Sequence, residues 1–209
     1  ESLYVHLKGH ILLHSGAVVN DNKVVLLPGV SGSGKSTLTM GLVNCGFKYL
    51  TDEVTVINLS SLEAIPFQRP IYMYGWALPV SAEVKGNFRF YRFWERYGGV
   101  IEPWQYAVPQ GEAVLPKDSR FEVAWIVFPR YSGDKKGDSH LIPISKAETV
   151  FSLMQRGWNA PGFRDWGLKV CSELVKRAEC YRLEMGDLKE ACELVKGVMG
   201  KVSPSVEDK

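Results

Sequence analysis

The stretch Gly29-Val30-Ser31-Gly32-Ser33-Gly34-Lys35-Ser36-Thr37 leaves the apolar run Val24-Val25-Leu26-Leu27-Pro28 and leads into a helical pattern that starts at Lys35. It reads G-x-x-x-x-G-K-S between a predicted buried strand and a predicted helix, the context in which a phosphate-loop pattern carries weight. Gly29, Gly32 and Gly34 let the backbone curl so that the N–H groups around Ser31, Ser33 and Thr37 point at an anion, and the helix adds its positive end. Lys35 is then the contact to β- and γ-phosphates, and the Ser36 hydroxyl a ligand to the magnesium ion bridging them. A glycine-rich turn would leave Lys and Ser at this register unexplained. The stretch predicts a nucleoside-triphosphate site.

Working outward, Ile11 to Val19 (ILLHSGAVV) and Lys23 to Leu27 read as a strand pair joined by the polar turn Asn20-Asp21-Asn22. His14 interrupts the first strand; an imidazole there is either a hydrogen-bonded core residue or a functional one. After the helix from Lys35 to Cys45, ended by Gly46, the short strand Phe47 to Thr51 delivers Asp52 and Glu53. A carboxylate at a neighbouring strand tip can hold magnesium or accept a nucleophile's proton, where the plain alternative is an exposed turn.

A second hairpin is expected over Val54–Asn58 and Leu62–Phe67, and alternating strands this early argue for a mixed sheet curled around the loop. Residues 77–117 are the least regular stretch: Ser81 to Tyr97 reads as an aromatic- and arginine-rich helix, and Gly98 to Leu115 as a loop. This insert is the candidate for substrate specificity or, equally, core covering the sheet. A strand at Phe121–Phe128, a polar turn at 132–139, a strand at His140–Ile144 and a helix capped by Ser145 and Glu148 follow. A helix from Phe163, a strand at Cys180–Met185 and a last helix capped by Asp187 complete a domain over residues 1–200, with 201–209 a tail. Residues 1–10 fit a short helix or a strand.

The fold class is therefore α/β, a mixed β-sheet core with the loop and flanking helices. In 209 residues with 45% hydrophobic and 23% charged side chains, a sizeable core needs no disulfide staples. Cys45, Cys171, Cys180 and Cys192 lack C-x-x-C spacing and read as reduced thiols of a cytoplasmic protein. A formal charge of +2 is too small to argue for nucleic acid or an anionic membrane as partner. No apolar run approaches the about 20 residues of a membrane span.

The order L-L-H-S-G-A-V-V, L-L-P-G-V-S-G-S-G-K-S-T-L and G-F-K-Y-L-T-D-E-V, from about Ile11 to Val56, resembles the catalytic domain of HPr kinase/phosphorylase and the wider HPr-kinase-related proteins. These share a core with the ATP-dependent phosphoenolpyruvate carboxykinases. Pro66 to Pro70, Val127 to Tyr131 and Tyr181-Arg182-Leu183 look like the related kinases; the glycine-rich segment HPr kinases carry after the acidic pair has no counterpart here. The resemblance implies a serine kinase using ATP and Mg²⁺. Asp52 would accept the proton of the substrate hydroxyl, His14 would support it, and Glu53 would stand where a second aspartate holds metal. Lys35, Ser36 and Thr37 would bind phosphate. The implied acceptor is a small protein or peptide; by the same analogy the chain would form a homo-oligomer, with the aromatic region 71–106 serving that end. Arg69 and Arg130, at the ends of predicted elements, could contact phosphate or form structural salt bridges. A nucleotide-gated module without transfer and a small-metabolite kinase are the competing expectations.

Overall fold

The computed structural model describes residues 9–73, 86–97, 100–131, 138–157 and 163–200. In chain order the elements are β1 (His10–Asn20), β2 (Lys23–Pro28), α1 (Lys35–Asn44), β3 (Lys48–Thr51), β4 (Val54–Asn58), β5 (Glu63–Ile65) and β6 (Ile71–Met73). Then come β7 (Phe88–Tyr97), β8 (Val100–Pro109), β9 (Phe121–Tyr131), β10 (His140–Pro143), α2 (Lys146–Met154), α3 (Phe163–Arg177), β11 (Glu179–Met185) and α4 (Leu188–Met199).

The main sheet runs β10-β11-β9-β2-β1-β4-β5, with β3 also paired to β1. β5 pairs back onto the start of β9, so the strands β9, β2, β1, β4 and β5 close into a ring. The sheet is mixed: β2, β9 and β11 are parallel, while β1 is antiparallel to β2, β3 and β4. Asp21 and Asn22 adopt positive φ at the β1–β2 turn, which suits the twist of a two-residue hairpin.

The unbroken apolar run of β2 follows from burial on both faces. Val25 and Leu27 pack with Leu38, Leu42 and Val43 of α1 and with Ala191, Cys192 and Val195 of α4. Val24 and Leu26 pack on the opposite side with Leu153 of α2 and Cys171, Leu174 and Val175 of α3. Each such aliphatic side chain contributes about 1.5–3 kcal/mol on burial. Ser145 and Asp187 cap α2 and α4, accepting from the N–H groups of Glu148 at 3.1 Å and Glu190 at 2.8 Å. All four cysteines are free thiols; Cys171, Cys180 and Cys192 are buried and Cys45 is exposed. Among the described residues no helix is long and apolar enough to cross a membrane.

The insert over 77–117 corrects the sequence reading. Phe88–Tyr97 is a strand rather than part of a helix, and Val100–Pro109 a strand rather than a loop; with β6 they form a three-stranded sheet, β6-β8-β7. The run FRFYRFWERY would put aromatic rings on every side of a helix, but as a strand it separates them onto two faces. Phe88 is buried against the core with Ile71, Met73 and Ala107. Pro103 and Pro109 are tolerated because β6 pairs only with residues 105–107, leaving one edge of β8 open at both prolines. β9 likewise runs on through Pro129 to Tyr131, where β2 no longer pairs. The expectations for residues 1–8, 81–85, 132–137 and 201–209 lie outside the described residues.

Candidate functional site

β2 ends at Pro28 and the chain turns through Gly29–Gly34 into the first turn of α1. Gly34 is the N-cap residue with φ 92°, and a Cβ there would overlap the Met185 Cε at the end of β11. Glycine is required at this point by the left-handed backbone. The far end of β9 braces the turn, the Tyr131 N–H donating to the Ser33 carbonyl at 3.1 Å. Within the curl, the Lys35 ammonium donates to the Val30 carbonyl at 2.9 Å.

The acidic turn is brought alongside by β1. β3 pairs with β1 as far as Ala17↔Thr51, and β4 takes over from His14↔Val54, so Asp52 and Glu53 sit opposite Ser15 and Gly16. The turn is fixed by the Ser15 N–H donating to the Glu53 carbonyl at 3.1 Å and the Thr51 hydroxyl donating to the Val54 carbonyl at 2.9 Å. Gly16 lets the layers close: a Cβ there would lie 2.7 Å from Thr39 Oγ1 and 3.3 Å from the Asp52 carbonyl oxygen.

These elements line one cleft of about 450 Å³. It brings together His14, Ser31, Gly32, Gly34, Lys35, Ser36, Thr37, Asp52, Glu53 and Arg69. Ser36 Oγ donates to Asp52 Oδ2 at 3.0 Å, while Asp52 Oδ1 is buried with no hydrogen-bond partner among the described residues. Ser33 Oγ is buried in the same condition, tucked under Gly29. Arg69 lies at the rim, 4.0 Å from Glu53 Oε2 with both side chains about half exposed. Arg130 pairs instead with Glu184 Oε1 at 3.8 Å on the β9–β11 side, its side chain 73% exposed.

The electrostatics separate the two candidate acid–base groups. Burial pushes the Asp52 carboxyl up to about 6; the Ser36 hydrogen bond and the Lys35 charge pull it down, and Glu53 adds to the rise. Burial lowers the His14 imidazole to about 4, helped by the Lys35 and Arg156 cations. Lys35 is itself held below the ordinary lysine range, chiefly by burial, with Asp52 and Glu53 opposing. At neutral pH the cleft thus carries both an ionised but basic carboxylate and a neutral imidazole. Such a pair can take a proton from a hydroxyl at Asp52 without placing a second cation against Lys35.

Three contributors escape sequence reading. Arg156 follows α2; its carbonyl accepts from the His14 N–H at 2.7 Å, its Nε is buried without a hydrogen-bond partner among the described residues, and its charge acts on both His14 and Lys35. Nothing in the sequence near Arg156 signals this, because the Leu13–Gly157 bridge that delivers it is a tertiary contact. Tyr72 and Trp104, from β6 and β8, form the wall beyond Arg69; their signal was the aromatic density of the insert.

Among the described residues no three His, Cys, Asp or Glu side chains cluster into a ready-made metal cage. No protein-family model matches the chain, and no curated protein matches it.

Proposed function

We propose that this protein is a cytoplasmic, HPr-kinase-like P-loop kinase that transfers the γ-phosphoryl group of ATP to a serine or other hydroxyl of a small protein or peptide. The observation that carries the reading is the meeting of Ser36 and Asp52, loop hydroxyl and buried carboxylate, in a cleft that also holds Lys35 and His14. A glycine turn opening a helix suits a polyphosphate, and Lys35 at its centre suits the β- and γ-oxygens. Thr37, one residue further along α1, is available to the α-phosphate side.

The oxygen donors fit Mg²⁺, which binds through one or two carboxylates together with substrate phosphates rather than in an all-protein cage. Ser36 Oγ, Asp52 and Glu53 are the residues that would hold it, and the buried, unpaired Asp52 Oδ1 supports that fit. Held there, the ion would supply neutralisation of the phosphate charge. The protein's own work is positioning and proton transfer. The acceptor oxygen attacks the γ-phosphorus as the bond to the β–γ bridging oxygen breaks, Asp52 takes the hydroxyl proton, and ADP leaves. His14, neutral in the same cleft, adds no second cation against Lys35.

A two-variant comparison tests the reading. Lys35→Ala is expected to weaken both ATP binding, read by titration calorimetry with Mg·ATP, and transfer. Asp52→Asn is expected to keep ATP binding and lose transfer. Equal transfer by wild type and Asp52→Asn would remove Asp52 from the chemistry.

A further inference from the structure

Through Ile71, Met73, Phe88 and Ala107 the β6-β8-β7 sheet packs one face on the core, a face that runs on to the exposed Arg92 and Trp94, and it turns the other face outward. On the outward face, strand pairing sets Tyr72 beside Tyr106 and Tyr106 beside Tyr91, with Phe93 beside Trp104. The rings are in contact: Tyr72 meets Tyr106 edge-on with centroids 4.6 Å apart, and Phe93 stacks on Tyr106 at 4.5 Å and lies 6.3 Å from Trp104. Yet Tyr72 and Tyr91 remain 48% and 49% exposed. Solvated aromatic surface of this kind marks an interaction site.

Its occupant follows from where the face leads. Tyr72 and Trp104 belong both to this aromatic face and to the wall of the cleft that holds Asp52. The surface therefore continues one wall of that cleft, the wall to which Arg69 also belongs. From β6 to β7 it spans two strand spacings, about 10 Å. A small metabolite with its hydroxyl at Asp52 does not extend over that distance as well; a polypeptide chain does. A nucleic acid strand needs a basic track under its stacked bases. This face is instead flanked along β7 by one cation and one anion, the exposed Arg89 and Glu95.

We infer that the outward aromatic face of the β6-β8-β7 sheet is the docking surface for the phosphoryl acceptor, a polypeptide segment that places an apolar or aromatic residue on Tyr91, Phe93 and Tyr106 while its hydroxyl residue enters the cleft. The inference rests on the kinase reading for the occupant, and it adds the surface on which that polypeptide docks and the kind of residue that docks there.

Binding and transfer are measured separately. A library of peptides with a fixed central serine and randomised flanks is selected on the immobilised full chain with Mg·ADP present. The expected result is enrichment of aromatic or large apolar residues at a fixed offset from the serine, with affinity for the selected peptides reduced about tenfold in Tyr91→Ser and in Phe93→Ser. Selection without such a preference, or unchanged affinity in both variants, overturns the docking surface whatever the transfer result. Tighter binding of a single-stranded oligothymidylate than of any peptide, lost in Tyr91→Ser, overturns the polypeptide assignment. Incubating the selected peptides with labelled ATP then tests the kinase reading by itself: bound but unlabelled peptides count against transfer and leave the docking surface standing. Should Phe93→Ser not fold, Tyr91→Ser, at a half-exposed position, carries the test.

Discussion

The Ser36 hydroxyl donates to Asp52 Oδ2 across 3.0 Å, joining the first turn of α1 to the turn between β3 and β4. This hydrogen bond opposes the burial that pushes the Asp52 carboxyl up to about 6, and burial wins. A carboxylate held in this way is kept at a cost to the fold, as expected of a group retained for chemistry.

Asp52→Asn should therefore raise stability while removing activity. A carboxyl whose folded pKa exceeds its unfolded value stabilises the fold below the unfolded value, and that contribution is lost as pH rises through the folded one. With a rise from 3.8 to about 6, the penalty at pH 7 is on the order of 2–3 kcal/mol. Denaturant unfolding of Asp52→Asn and wild type should give similar midpoints near pH 4 and a more stable variant at pH 7. Transfer should fall by about 10²–10⁴-fold, the usual worth of a general base.

The pH profile of kcat/KM, which reports the free enzyme, should rise through about 6 as Asp52 loses its proton, and show no step from His14 between pH 6 and 8. The imidazole, lowered to about 4, is already neutral across that range. Its linkage has the opposite sign to that of Asp52: the stabilisation of neutral His14 is complete above 6.5 and lost as pH falls through about 4. Initial rates from pH 5 to 8, compared with those of His14→Gln, check the assignment. A limb near 6.5 that disappears in His14→Gln would transfer the titration to the histidine.

Arg156→Gln should let His14 protonate at higher pH, since the guanidinium is one of the two cations that hold the imidazole down. The shift is read from the pH dependence of the His14 ring resonances. An unchanged titration would show that burial and Lys35 suffice.

Gly34→Ala meets a backbone obstacle, φ of 92°, while the Met185 Cε in the space a Cβ would take is the free end of a flexible side chain that can swing aside. The left-handed backbone costs a non-glycine residue about 1–2 kcal/mol. The variant should lose at least that in denaturant unfolding and bind ATP weakly. Adding Met185→Ala clears the space without relieving φ, so it should restore little of the loss.

How legible this was depended on the range of the contacts. The loop, its entry strand and α1 follow from the local pattern of Val24 to Val43, and the β1–β2 hairpin from the turn at Asp21-Asn22. His14 and Asp52 could be listed as candidates, but their sharing one cleft depends on the switch of β1 from β3 to β4 near Gly16, a pairing that no local pattern encodes. Residues 88–109 were misread because interleaved aromatic and arginine side chains suit either period, and the register with β6 decided in favour of strands. Arg156 was invisible because a tertiary bridge delivers it.

In the proposed reaction the loop donates a phosphoryl group which Asp52 helps an acceptor receive. The most direct measurement is incubation of the protein with γ-labelled ATP and Mg²⁺ in an extract of its source, followed by separation of the products by size. The account predicts label on a small protein or peptide, stable as a phosphoester, and its loss when Asp52→Asn replaces the wild type. ATP bound tightly with no labelled product, or label confined to low-molecular-weight compounds, would contradict it.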